Sequence, residues 1–256
     1  MNRAWPYPTA AVFVCILVWH FSVIWFAVPA YLVPTPEAVV ERLWDDRAFM
    51  FRHSVVTLTT TLGGFLLSVA VGVPLGMLLV WSRLLERAIM PLLVVSQSFP
   101  KVAVAPLIVI WFGLGMLPKI LIAFSVAFFP IVISTIAGMK SVDTDLRDLA
   151  RSMQAGPIKT FAKIRLPFAL PQIFSGIKVA VAFATVGAVV GEWVGADAGL
   201  GYLLLWSNAN LDTPLLFAVL VCLMFIGLIL YYAVEWIEAY ALPWHVSVRV
   251  DELGQR

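Results

Sequence analysis

The stretch ILIAFSVAFFPIVISTIAGM, residues 120–139, contains no charged side chain. A helix of roughly 20 apolar residues is what is needed to cross a hydrocarbon layer about 30 Å thick. Because lipid offers no hydrogen bonds to peptide groups, a segment of this kind must satisfy them internally, as a helix. The stretch therefore predicts a membrane-spanning helix rather than a buried helix of a soluble core.

Five further tracts of the chain share this character. Only 12% of the residues are charged and the mean hydropathy is +0.96, whereas soluble domains carry about 25% charged residues. We therefore predict an all-α membrane protein that forms a single transmembrane domain over residues 1–256. The six predicted spans are about 9–29, 54–81, 88–113, 118–139, 168–193 and 213–236.

The first tract has an alternative interpretation as a secretory signal, because Arg3 precedes it and Ala-Val-Pro-Ala (27–30) resembles a cleavage site. Its apolar stretch is longer than the signal core of about 7–15 residues, which favours a span that is retained.

The connections between six spans alternate between the two sides of the membrane, and their basic residues are unequally divided. Cytoplasmic loops carry the excess of Lys and Arg. This rule predicts that both termini and the segment 140–167 are cytoplasmic. The eleven basic residues on that side are Arg3, Arg83, Arg87, Lys140, Arg147, Arg151, Lys159, Lys163, Arg165, Arg249 and Arg256, against Arg42, Arg47, Arg52 and Lys119 on the other.

The segment DTDLRDLARSMQAGPIKTFAKIRLP, residues 143–167, is the most polar part of the middle of the chain. Four apolar residues follow one another at helical spacing, which predicts one apolar stripe: Leu146, Leu149, Ala150 and Met153. Gly156 and Pro157 then interrupt the chain, and we predict a second short helix that ends at Pro167. The resulting helix–turn–helix is either a solvated loop beside anionic lipid head groups or a docking surface for a cytosolic partner.

Residues 148–167 resemble the cytoplasmic-loop motif of ABC-importer permeases, which runs Glu-Ala-Ala, a glycine four residues on, and a terminal Ile-x-Leu-Pro. Asp148 matches the acidic position, Ala150 the second alanine, and Leu166 with Pro167 the closing pair.

The loop departs from this motif at three positions. Leu149 replaces the first alanine, Gln154 stands where the glycine is expected, and Gly156 lies two residues later. These departures leave open whether the turn is displaced along the chain.

The resemblance extends over most of the chain. VSQSFPKVAVAPLIVIWFGLG (94–114), GEWVGADAGLGYLLLWSNANLDTP (191–214) and ALPWH (241–245) look like the nitrate/sulfonate/taurine branch of these permeases. The resemblance implies a type I importer fold in the inner membrane of a bacterium. It also implies a second permease copy as a homodimer partner, two cytosolic ATP-binding subunits and an external solute-binding protein, with the loop helix seated in a groove of the ATPase.

The sequence itself agrees with this division of labour, because no G-x-x-x-x-G-K-[ST] phosphate loop is present and another polypeptide must hydrolyse ATP. An apolar anchor with a polar rim is the expected form of the contact. The residues predicted to couple to the ATPase are Leu146, Asp148, Leu149, Ala150, Arg151, Met153, Gln154, Ala155, Gly156, Phe161, Leu166 and Pro167.

Ionisable groups within membrane spans are functional candidates. Lys101, with Ser96 and Gln97 nearby, and Glu192 are predicted to line the translocation path. Lys101 in such a path would favour an anionic solute. Lys178 lies near the cytoplasmic end of its span and is expected to extend its ammonium group to the interface.

No cofactor, metal site, catalytic cluster or nucleic-acid partner is predicted. His20, His53 and His245 are widely separated, and no nucleophile–base signature occurs. The predicted function is therefore import of a sulfonate-, nitrate- or taurine-like solute, or of a pyrimidine-type vitamin precursor. A secondary transporter would need carboxylates or histidines near the midplane of repeated halves, and a membrane enzyme would need a catalytic cluster.

Overall fold

The computed structural model describes residues 6–244, without the side chains of residues 6–8, 144, 147 and 151. Arg3, Arg249, Arg256 and His245 lie outside the described residues. The described chain is helical. Its helices are α1 (Pro6–Trp25), α2 (Pro36–Asp45), α3 (Arg47–Trp81), α4 (Arg83–Gln97), α5 (Lys101–Phe112), α6 (Met116–Lys140), α7 (Thr144–Ser152), α8 (Pro157–Thr160), α9 (Leu166–Trp193), α10 (Leu200–Ala209) and α11 (Thr213–Ala241).

Four helical segments of the described chain are long and apolar enough to cross a membrane: α3, α6, α11 and the segment Pro157–Trp193, which contains α9. The pair α4–α5 makes a fifth when it is counted as one span, although it is bent by 98°. The predicted number of six is reached only when the shorter apolar helix α1 is added. The tract predicted as a span over about 88–113 is thus divided between two helices.

The break between α4 and α5 lies at residues 98–100. Pro100 has no peptide N–H to donate, and a proline disfavours helical geometry at the residue before it. α5 begins directly after Pro100, which has an extended backbone with ψ 94°. The predicted span therefore becomes two short helices that meet at a polar corner.

α6 forms the centre of the bundle, between α3 and α9. Close approach requires glycine at two points. A Cβ on Gly64 would lie 2.8 Å from the backbone nitrogen of Phe124, and one on Gly176 would overlap Ser134. Small residues at such contacts allow helix backbones to approach closely in membranes.

The bundle has two ends, which we name after the short helices that mark them. The α7 end carries the end of α3, the end of α6 and the start of α9. The α10 end carries α2, the start of α3 and the start of α11. Arg42 on α2 bonds Asp212 there over 2.7 Å, and Asp212 also caps the first turn of α11.

The predicted second short helix of the segment 143–167 does not end at Pro167. α8 continues through a π-helical turn, Phe161–Arg165, directly into α9. The Leu166 N–H bonds the Phe161 carbonyl, five residues back. This wider turn lets the helix pass a proline that cannot donate to the chain. Residues Pro157–Trp193 therefore form one continuous helical segment.

Candidate functional site

The candidate coupling site begins at α7, whose first turn is capped by Asp143. The Asp143 carboxylate accepts a bond of 3.1 Å from the Asp145 N–H, which is the usual role of a capping residue. The predicted apolar stripe forms on this helix. Its members, however, do not all face the same surroundings.

One part of the stripe is exposed at the α7 end of the bundle. The exposed fractions are 38% for Leu146, 56% for Leu149 and 73% for Met153, and Ile158 on α8 adds 72%. We call these four side chains the apolar face of the site. They lie on an otherwise polar segment.

The other part of the stripe is buried. Ala150 is 3% exposed and Val142, just before α7, is also 3% exposed. Phe161 is half-buried, packs with a cluster that includes Met139, and contacts the Trp81 ring at the end of α3. The predicted coupling residue Phe161 thus contacts the chain's own bundle, and Ala150 is buried.

The turn after α7 lies where the loop motif has its glycine, and it is not displaced. Gln154 itself adopts the left-handed conformation, with φ 55°. The Ala155 N–H bonds the Ala150 carbonyl over 2.9 Å, the 6→1 bond of a Schellman helix end. Gly156 has φ −62° and an extended ψ, a conformation that any residue adopts. The left-handed residue of the turn is therefore Gln154 and not Gly156.

The remaining predicted coupling residues surround this turn. Asp148, Gln154 and Gly156 are exposed, whereas Ala155, Leu166 and Pro167 are half-buried. The Arg151 side chain lies outside the described part of the chain.

Three of the predicted path residues lie together at the break between α4 and α5. Ser96 is half-buried and bonds the Leu93 carbonyl, and Gln97 is exposed. Lys101 is half-buried at the first position of α5, with its Nζ 4.4 Å from the centre of the Phe129 ring on α6. This is a cation–π contact at a polar corner within the bundle.

Glu192 lies elsewhere, at the α10 end, and is 1% exposed. Its Oε2 accepts bonds from the Thr57 hydroxyl (3.0 Å) and the Gly201 N–H (2.7 Å). Its Oε1 has no hydrogen-bond partner among the described residues. Glu192 therefore joins α3, α9 and α10, while Lys101 contacts α6.

Sequence reasoning did not assign roles to three residues that hold these sites: His53, Thr57 and Trp81. The four-residue spacing of His53 and Thr57 places both on one face of α3, which is a usable signal. The contact of Trp81 with the π-helical turn had no signal in the sequence. The segment 197–212 contains helix α10.

Comparison with known proteins agrees with this architecture. Residues 64–240 match the family model described as "Binding-protein-dependent transport system inner membrane component". The formylaminopyrimidine transport permease protein ThiX of Halalkalibacterium halodurans is 35% identical, over 93% of this chain and 95% of its own length. The putative aliphatic sulfonates transport permease protein SsuC of Bacillus subtilis is 31% identical, over 91% and 86%.

A solved structure of the MetNI methionine ABC transporter, described as inward facing, contains a chain with the same fold. Its TM-score is 0.61 at 21% identity, over 76% of this chain and 94% of that chain. The sequence matches and the shared fold lead to one conclusion: the chain belongs to the inner membrane components of binding-protein-dependent transport systems, the permeases of ABC transporters.

Proposed function

We propose that this chain is the permease of an ATP-driven importer and that the apolar face at the α7 end docks into its ATPase subunit. The observation that carries the proposal is the division of α7 into two sides. Ala150 is buried on one side, while Leu149 and Met153 are exposed on the other. Water-exposed leucine and methionine on a short charged segment are typical of an interaction site rather than of a solvated loop.

The contact has the composition of a protein–protein anchor. Apolar residues at the centre of an interface contribute most of the binding energy, and polar residues at the rim exclude water. Leu149, Met153 and Ile158 supply the centre, and Asp148 and Lys159 supply the rim. Because Phe161, directly after α8, packs on the bundle, a movement of the ATPase would be transmitted to the spans.

The proposed assembly contains two copies of this permease domain, two ATP-binding subunits and an external solute-binding protein. The family description supports the binding protein. The excess of basic residues at the α7 end supports a cytoplasmic position for that end and for both termini. The path between the two copies is proposed to be lined by three residues at the break between α4 and α5: Ser96, Gln97 and Lys101.

The proposed solute is a small organic molecule. A sulfonate-like anion is supported by the relative named for aliphatic sulfonates and by the lysine at the α4–α5 break. A pyrimidine-type vitamin precursor is a second candidate, supported by the higher identity of the relative named for formylaminopyrimidine. Identification of the ligand bound by the cognate binding protein decides between them.

The docking proposal is tested with Leu149→Asp in the full-length chain, expressed together with its ATPase subunit. Leu149 contributes to the exposed face, so a charge there should leave the permease inserted and folded. Buried against a partner, the same carboxylate would lack compensation. We expect loss of ATPase co-purification and of ATP-driven uptake.

Leu211→Asp is the matched control, because Leu211 is 69% exposed at the opposite end of the bundle. It should retain the ATPase. If Leu149→Asp keeps both the ATPase and full uptake, the docking proposal is wrong.

A further inference from the structure

The start of α10 is fastened to two membrane helices by an unusual set of bonds. The first peptide N–H groups of a helix have no partners within it. At α10, three consecutive groups are bonded by side chains from α3 and α9. The bonds are Gly199 N–H to His53 Nδ1 (3.0 Å), Leu200 N–H to Thr57 Oγ1 (2.7 Å) and Gly201 N–H to Glu192 Oε2 (2.7 Å).

The contact is closely fitted. Gly199 has φ +119°, and a Cβ at this position would overlap the Glu192 carboxyl group. A Cβ at Gly201 would lie 2.6 Å from the Val189 carbonyl oxygen. The His53 ring stacks on Tyr202, with 6.1 Å between the centroids. The first turn of α10 therefore lies in direct contact with Glu192, with no room for a side chain at Gly199 or Gly201.

Glu192 is also connected to the opposite end of the bundle. It lies near the end of the continuous helical segment Pro157–Trp193, whose beginning carries Phe161 and the apolar face residue Ile158. A displacement of α8 by a docked ATPase therefore moves a rod whose far end holds the bond to Gly201. This step rests on the docking function proposed above.

We propose that His53, Thr57 and Glu192 are positioning residues that latch α10 as a movable gate at the α10 end, released and reset in each ATP cycle. Three hydrogen bonds hold the first turn, beside the apolar contacts of Leu200 and Leu203, which are buried in the core. Release would deprive a buried carboxyl group of two donors, a costly change in a dry site.

Lys119 offers a compensating partner in the released state. It is 7% exposed, and its Cα lies 3.0 Å from the Cβ position of Gly191, next to Glu192. In the latched state it forms no ion pair with Glu192 within 4.0 Å, both residues being in the described part of the chain. The carboxyl oxygen Oε1 has no hydrogen-bond partner among the described residues, and the Lys119 ammonium group would supply one after release.

The test uses Ser207→Cys as a reporter in a background with Cys15→Ser and Cys222→Ser. Ser207 lies on α10, is 0% exposed, and its hydroxyl bonds only within its own helix. The complete complex with its binding protein, in lipid vesicles, is treated with a membrane-impermeant maleimide. We expect protection without nucleotide and loss of protection after trapping with ATP and vanadate. Leu205→Cys, exposed on the same helix, should react in both states.

Substitutions of Thr57 then separate the effect of its hydrogen bond to α10 from the effect of side-chain packing. Thr57→Val keeps the shape of the side chain but removes the acceptor for the Leu200 N–H, so the reporter should lose protection without nucleotide. Thr57→Ser should restore it. Co-purification of the ATPase should be unchanged in both variants, because they lie at the opposite end of the bundle.

The proposal is overturned if the reporter stays protected in both states while the complex hydrolyses ATP and transports. It is also overturned if Thr57→Val leaves protection intact. Failure of the ATPase to co-purify with the unmodified permease would instead contradict the docking function itself, so the two failures are distinguishable.

Discussion

The Phe161 ring meets the Trp81 ring edge-on, with 5.2 Å between their centroids and 79° between their planes. Phe161 opens the π-helical turn, and Trp81 is the last residue of α3. The contact therefore links the segment that carries the proposed ATPase dock to a second membrane helix. Together with α9, it gives the docking movement two routes into the bundle.

Replacing either aromatic ring with a leucine side chain should weaken this link. We expect a coupling energy of about 0.5–1.5 kcal/mol between Phe161→Leu and Trp81→Leu in a double-mutant cycle of stability. The amount of solute imported per ATP should fall while ATPase binding is kept. Uptake and hydrolysis measured together in vesicles provide the test.

Phe168→Leu is the matched control, because Phe168 is 51% exposed on the same helical segment. It should change neither quantity. Equal import per ATP in Phe161→Leu and the unmodified chain would show that the ring contact plays no part in transmission.

The turn after α7 yields a second prediction. A non-glycine residue in the left-handed conformation costs roughly 1–2 kcal/mol, and glycine removes most of this cost. Gln154→Gly should therefore stabilise the turn and raise the affinity for the ATPase, whereas Gln154→Val should lower it. Binding of the ATPase subunit to the reconstituted permease measures both.

Gly156→Ala should have little effect, since φ at Gly156 is negative and no atom lies within 4 Å of its Cβ position. If Gly156→Ala weakened binding and Gln154→Val did not, the turn would lie two residues further along than the structure has it.

The spans could be predicted from the sequence alone, but the break within one of them could not. Charge-free runs located the spans because lipid leaves the backbone no other partners. The break at Pro100 was not predictable from proline itself, since Pro74 and Pro130 lie within α3 and α6 without ending them. Only the tertiary surroundings determine whether neighbours compensate for the lost hydrogen bond.

The candidate site was predictable in part for a similar reason. Helical spacing identified the stripe on α7, but burial of Ala150 depends on how the segment lies on the bundle, which no local pattern specifies. The bonds that fasten α10 were beyond reach, because His53 and Gly199 are separated by 146 positions in the chain.

Helix contact at Gly64 leads to a third prediction. A Cβ there would overlap Ala123, and the backbone of Phe124 cannot move aside. Gly64→Ala should cost about 1–3 kcal/mol through overpacking, visible as a lower unfolding temperature in detergent. Gly227→Ala, at a position with nothing within 4 Å of the Cβ, is the control and should unfold at or slightly above the temperature of the unmodified chain. Equal effects of the two substitutions would contradict the close approach of α3 and α6.

The ion pair between Lys178 and Glu238 gives the last prediction. Lys178 was expected to extend to the interface, but its Nζ lies 2.7 Å from Glu238 Oε2 on α11, with the two side chains 22% and 12% exposed. Removing one partner leaves a poorly hydrated charge, at a cost of about 3–5 kcal/mol for a fully buried pair. Glu238→Gln should reach the lower end of that range, because Lys178 keeps some contact with solvent.

Exchange of the two charges separates the pair from its surroundings. Lys178→Glu combined with Glu238→Lys should recover most of the stability that either single reversal loses, because the attraction between α9 and α11 is restored. Glu235→Gln is the control, since Glu235 is exposed one turn earlier on α11. Thermal unfolding of these five variants in lipid measures the effect. If Glu238→Gln and Glu235→Gln unfold at the same temperature, the ion pair does not hold α11 against α9.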